Sequence, residues 1–360
     1  MNAWGNRLKL SIFGESHGPA IGIVIDGLPA GEAIDAAETA REMARRAPGG
    51  NDLSTARNEP DEVVILSGIL RDKTTGAPVC GVIYNRDARS RDYDTILRPG
   101  HADWTALLKF GGYADLRGGG HFSGRLTAPL VFAGSIAKQI LSRRGVEICA
   151  RITAIGGVSD EPAREEYGSA SEFRAALAAD FPASAEIAEA MKAEIRAAKE
   201  RGDSVGGVVE AAVFGLRGGI GEPFFGSMES AAASLLFSIP AVKGVEFGRG
   251  FRLASMRGSE ANDAIRLENG RIVSRTNNSG GILGGITNGM PIVARAAFKP
   301  TASIALPQES VDAASKQETT LRILGRHDPC VAPRAVPAVE ASLALCALDG
   351  LLVSGDGLLK

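Results

Sequence analysis

The chain has 360 residues, 44% of them apolar and 23% charged, with a formal net charge of −2. That composition supports a sizeable core and excludes a disordered chain, and the near-neutral charge gives no reason to expect nucleic acid or an anionic membrane as partner. Glycine supplies 45 residues, well above the usual share, and each of the 4 histidines (His17, His101, His121 and His327) has a glycine within two positions.

In chain order, residues 1–13 hold no apolar run long enough for a signal peptide. Residues 21–26 predict a strand that ends in the turn from Gly27 to Gly31. A helix follows, with Asp35 as N-cap, Glu38 three residues on, and Pro48-Gly49 as its stop. Residues 48–61 predict a polar loop, and 63–66 and 79–84 predict β-branched strands. Helical apolar spacing runs from Arg125 to Arg144 and closes at Gly145. Residues 184–201 predict a charged, alanine-rich helix ending at Gly202, 205–214 and 292–298 predict strands, and 336–348 a closing helix.

The elements lack a regular βαβ rhythm, which predicts α+β architecture with antiparallel sheets rather than a doubly wound parallel one. No linker or composition break divides the chain, so residues 1–360 read as one domain. Cys80, Cys149, Cys330 and Cys346 are far apart, with no CxxC pair, which predicts free thiols in a reducing cytoplasm. The apolar stretch at 128–137 is short of the ~20 residues of a membrane helix. No two histidines are closer than His101 and His121, and no zincin spacing occurs, so no metal site is expected.

Gly14-Glu-Ser-His-Gly18 matches the nucleophile-elbow pattern and, alone, suggests a serine hydrolase with Ser16 as nucleophile and His327 as base. The strand-like residues 21–26 after it argue against an elbow, which needs a helix there. Arg98-Pro-Gly-His101-Ala-Asp103 places a histidine before an apparent helix that Asp103 could cap. Arg117-Gly-Gly-Gly-His121-Phe-Ser123-Gly-Arg125 is expected to lead straight into a helix, with bare backbone and two guanidiniums suited to phosphate or carboxylate. Gly325-Arg326-His327-Asp328 sets a cation, an imidazole and a carboxylate side by side, and Lys299-Pro-Thr-Ala-Ser303 offers an ammonium and two hydroxyls. Each has a plainer reading as a turn, a cap or a local salt bridge. No Walker A loop or GxGxxG fingerprint occurs.

Taken together and in this order, the motifs resemble the chorismate synthase family. The match also takes in Arg45-Arg-Ala-Pro-Gly49, Glu59-Pro-Asp-Glu-Val63, Ala241-Val-Lys-Gly-Val-Glu246 and Gly280-Gly-Ile-Leu-Gly-Gly-Ile286, so it covers nearly the whole chain. The resemblance implies a single α+β domain with helices sandwiched between antiparallel sheets, and a homotetramer. It implies a lyase of the shikimate pathway that eliminates phosphate from 5-enolpyruvylshikimate 3-phosphate with reduced FMN and no net redox change. The reduced flavin is expected from an external source, with NADP the nicotinamide associated with the family.

By the same resemblance, His17 serves the flavin, His101 the departing phosphate, and Asp328 the leaving ring hydrogen, with Ser16 and Ser123 assisting by hydrogen bonds. The implied flavin contacts are His121, Phe122, Ser123, Pro240, Ala241, Gly284, Lys299, Pro300, Thr301, Ala302, Ser303 and Arg326. Arg46, Arg125 and Arg334 are the implied substrate arginines. The chain departs from the common pattern at His121-Phe122 (commonly Arg-Ser), Leu130 and Asp52 (each commonly arginine) and Pro240 (commonly asparagine). These departures remove polar partners from the expected cavity and predict a divergent but active branch. A degenerate flavin- or anion-binding protein is the non-catalytic alternative.

Overall fold

The computed structural model describes residues 2–48, 53, 61–86, 95–160, 167–323 and 327–355. Among them, ten strands form two five-stranded sheets in which every pairing is antiparallel. The first sheet runs, in spatial order, Ala3–Trp4, Lys9–Gly14, Ala20–Asp26, Val79–Tyr84, Val63–Ser67. The second runs Val242–Phe247, Ile292–Phe298, Gly207–Phe214, Glu147–Ile155, Val158–Ser159. The expected architecture, helices between antiparallel sheets, is the one observed.

Between the sheets lie the helices Ala36–Arg46, Thr127–Ser142, Met228–Ser238 and Ala332–Val353. Thr127–Ser142 faces the first sheet and Ala332–Val353 the second, and one continuous apolar cluster joins all of these elements. The two helices touch closely because residue 134 is glycine: a Cβ there would lie 2.2 Å from the Cβ of Ala341. Ala36–Arg46 begins where its sequence predicts, with Asp35 Oδ1 accepting from the backbone N–H groups of Ala37 and Glu38.

The closing helix is longer than the expected 336–348. It spans 22 residues, because Pro333 sits in the first turn, where its missing N–H has no helical partner to lose. Its length and apolarity would suffice to cross a membrane, but every residue from Ala335 to Asp349 is buried in the core. Its composition is that of a core helix.

Other segments differ from expectation. The helix predicted from Arg125 begins at Thr127, after a short 3-10 turn over Gly124–Leu126. The helix predicted over 184–201 is Ala188–Glu200. Hairpins at Ile265–Glu268/Arg271–Ser274 and Gln308–Asp312/Gln317–Leu321, and the strand Lys9–Gly14, carry sequence signals too weak to have been predicted.

Candidate functional site

A cavity of about 850 Å³ opens where the first sheet's strands Ala3–Trp4 and Lys9–Gly14 meet the ends of the helical layer. The N-terminal ends of Thr127–Ser142 and Ala332–Val353 both border it, so helix-dipole positive ends face the space. Part of its lining is apolar, with Leu235, Ile239, Pro240, Val242 and Phe298, and another flank is cationic.

The cationic flank is built around a buried carboxylate. Asp61, 2% exposed, accepts from Arg46 through Oδ2 and from Arg125 through Oδ1. Both guanidiniums line the cavity, whereas Asp61 is not among its lining residues. Arg125 also donates to Asn85 Oδ1 at 2.7 Å, and Arg46 to Thr127 Oγ1 at 3.2 Å. Arg334 pairs with Asp328 and donates to the Arg46 carbonyl at 3.3 Å. Burial, together with the neighbouring Arg334 and Arg125, lowers the Arg46 pKa to about 10 even though Asp61 opposes the shift. Three guanidiniums against two carboxylates leave net positive charge among buried side chains, which suits an anion.

His101, also lining the cavity, has a neutral partner: its Nε2 is 2.6 Å from Ser303 Oγ. Burial first, then Arg98, pushes its pKa down to about 4, so the ring is neutral at neutral pH before any ligand arrives. Arg98 is held by Asp103, which accepts from its backbone N–H at 2.9 Å and its guanidinium at 2.8 and 2.7 Å. Asp103 is therefore the first residue of the helix Asp103–Phe110 and a clamp on Arg98; the expected side-chain cap is not made.

The triple glycine does not lead straight into a helix. Gly118, Gly119 and Gly120 have φ of 60°, 90° and 53°, a run that only glycine adopts without strain. The run lets the backbone pass under His17, since a Cβ on Gly118 would lie 1.9 Å from His17 Cε1. Ser123 ends the loop and accepts from the Arg125 backbone N–H at 3.2 Å. His121 turns Nδ1 to the Gly14 carbonyl at 2.7 Å and Nε2 to the Asn2 side-chain oxygen at 3.1 Å. Its ring nitrogens thus tie the glycine loop to the first sheet, while its edge still borders the cavity.

Most of the residues singled out in the sequence meet here: His17, His101, His121, Phe122, Ser123, Pro240, Ala241, Lys299–Ser303, Asp328 and the three arginines all line the cavity. Ser16 does not. It is wholly buried behind His17, with Oγ 3.3 Å from His17 Nδ1. A strand, not a helix, follows it, so it sits on no nucleophile elbow and the hydrolase reading fails. Gly284 is an exposed turn glycine in the hairpin Ile282–Leu283/Ile286–Thr287, outside the cavity. Arg326 and Asp52 fall outside the described residues. Leu130 is a buried residue of the cavity wall.

Sequence reasoning assigned no role to Asp61, Asn85, or the Arg98–Asp103 pair. The only signal was position: Asp61 stands in Glu59-Pro-Asp, and Arg98 opens the His101 motif. On the cavity side, Thr301 Oγ1 and His327 Nε2 are buried without a hydrogen-bond partner among the described residues. The apolar lining residues and the Lys299 ammonium fit a ligand with an apolar body and polar edges. Among the described residues, no group of three or more potential metal ligands occurs.

Fold and cavity define a class: an α+β protein whose antiparallel sheets enclose a helical layer and whose cavity is lined by several arginines and histidines. A family model described as chorismate synthase matches residues 8–352. The chorismate synthase of Thermococcus kodakarensis is 48% identical over 351 residues, covering 97% of each chain. That of Pyrococcus abyssi is also 48% identical, with the same coverage. A crystal structure of a chorismate synthase superposes with a TM-score of 0.76 at 28% identity, over 98% of this chain and 94% of the other. The chain belongs to the chorismate synthase family.

Proposed function

We propose that this protein converts 5-enolpyruvylshikimate 3-phosphate to chorismate and phosphate by a 1,4-elimination, as a carbon–oxygen lyase using reduced FMN. The observation that carries the reading is the convergence of Arg46, Arg125 and Arg334 with His17, His101 and Asp328 on one cavity. A substrate with one phosphate and two carboxylates needs several guanidiniums and a proton source, and this cavity provides both.

The elimination breaks the ring C–O bond to phosphate and a ring C–H bond, and forms the new double bond with no net oxidation. Arg46, Arg125 and Arg334 bind the anionic groups and hold the ring in place. His101, neutral in the free protein, gains basicity beside the phosphate dianion and then supports its departure with a hydrogen bond or proton. Asp328, held by Arg334, takes up the proton from the ring hydrogen. His17, seated over the glycine loop, and Ser123 provide hydrogen bonds at the cofactor, while Ser16, buried behind His17, assists through the imidazole ring.

Reduced FMN, when bound, supplies transient electron density to the substrate. The residues expected to hold it are the 121–123 segment, Pro240, Ala241, Lys299–Ser303 and Arg326, with Thr301 Oγ1 a hydroxyl awaiting a partner. The family pattern adds Gly284, which in one chain is remote from the cavity. Residues 1–360 act as one domain, the working form is a homotetramer in the cytoplasm, and the flavin arrives already reduced from outside, with NADP-linked chemistry its source.

Anaerobic mixing of the purified protein with reduced FMN and the substrate, followed by chorismate absorbance, tests the reading. Flavin binding without turnover would instead make this a binding protein.

A further inference from the structure

We propose that Asp61 is a positioning residue for substrate: its carboxylate, behind the cavity wall, holds the Arg46 and Arg125 guanidiniums at the spacing that grips an anion. The inference rests on the functional reading for the identity of that anion. The geometry is independent of it. Each carboxylate oxygen accepts from a different guanidinium, so the two cations share one bridging counter-charge. All three residues are nearly inaccessible, at 2% for Asp61, 3% for Arg46 and 5% for Arg125.

Without the bridge, two guanidiniums would face each other in a space where little water screens them, and each would turn toward whatever acceptor it could reach. With it, the two guanidiniums stay paired at the cavity wall that both residues line. The secondary anchors differ in kind: Asn85 accepts from the Nε of Arg125 and Thr127 from that of Arg46, whereas Asp61 accepts from both guanidiniums.

The backbone at Asp61 carries a second sign of a specified position. Its φ is +51°, in the left-handed region that aspartate and asparagine tolerate and most side chains do not. The conformation aims a short carboxylate at both arginines at once. Asparagine keeps the backbone and the shape but offers only one acceptor oxygen, so its NH2 group would confront a guanidinium donor.

The test compares the full-length wild type with Asp61→Asn and Asp61→Glu in steady-state turnover with reduced FMN. Asp61→Asn is expected to raise KM for the substrate at least about thirtyfold while kcat falls less than about fivefold. Asp61→Glu, which keeps the charge but displaces it, is expected to give an intermediate KM. An unchanged KM in Asp61→Asn overturns the proposal. So does loss of the folded protein in both variants, which would assign Asp61 to the fold alone. A wild type that makes no chorismate defeats the functional reading instead. Calorimetric titration with inorganic phosphate then decides Asp61 by itself: weaker binding by Asp61→Asn supports the positioning role, and equal binding overturns it.

Discussion

His101 Nε2 stands 2.6 Å from Ser303 Oγ, a contact between residues 202 positions apart that fixes the ring against the cavity wall. The same burial that makes the contact dry lowers the ring's pKa from 6.5 to about 4. A ring with an ordinary value could donate a proton at neutral pH unaided; this one needs an anion beside it first. The His101 ring protons, followed by NMR in the free protein, are expected to titrate near 4, and to shift upward when inorganic phosphate is added. The stability linked to this neutral ring is complete above 6.5 and is lost as pH falls toward about 4. A midpoint near 6.5 in the free protein would contradict the assignment.

His17→Ala and His101→Ala are each expected to lower kcat by roughly 10²–10⁴-fold, the usual contribution of a positioned acid–base group. Either variant turning over at near the wild-type rate would remove that residue from the chemistry.

Gly118→Ala probes the close packing beneath His17. The added methyl meets the imidazole at 1.9 Å, and φ of +60° disfavours alanine. The backbone strain costs roughly 1–2 kcal/mol, and a ring displaced by on the order of 1 Å loses about 10²-fold in rate. Retained kcat with a lowered Tm would mean that His17 can move without consequence.

Glu340 lies at the centre of the helical layer, accepting from Arg45 at 2.7 and 2.9 Å, from Lys138 at 2.7 Å and from the Ala150 backbone N–H at 3.1 Å. Burial disfavours its charge, but Lys138 and Arg45 prevail and bring its pKa down from 4.5 to about 2. Its stabilisation is therefore full above 4.5 and fades as pH falls toward about 2. Glu340→Gln is expected to destabilise by about 3 kcal/mol or more in urea unfolding at neutral pH, with the gap from wild type narrowing across that acid window. A gap that stays constant with pH would show that the charge is not what matters there.

Much of this was legible in the chain itself. Alternating and β-branched runs located the strands at 20–26, 79–84, 207–214 and 292–298, and Asp35 announced its helix. Glycine beside histidine marked the loops that meet at the cavity. What stayed hidden depends on residues far apart in sequence. Asp61 looks like any acidic loop residue until Arg46 and Arg125 close around it, and Asp103 looks like a cap until Arg98 folds back onto it.

His121 shows the same limit from the other side. The sequence marks it as a departure from the family pattern and a flavin contact, but only the fold places its nitrogens against Gly14 and Asn2. The closing helix begins at Ala332, four residues before its expected start, because Pro333 in the first turn has no helical N–H bond to lose.

The most direct measurement is the stoichiometry of a single anaerobic incubation of the protein with reduced FMN and 5-enolpyruvylshikimate 3-phosphate. A lyase of this kind releases chorismate and phosphate in equal amounts, far exceeding the flavin present, and leaves the flavin reduced. Phosphate release without chorismate, or one flavin oxidised for each product formed, would contradict it.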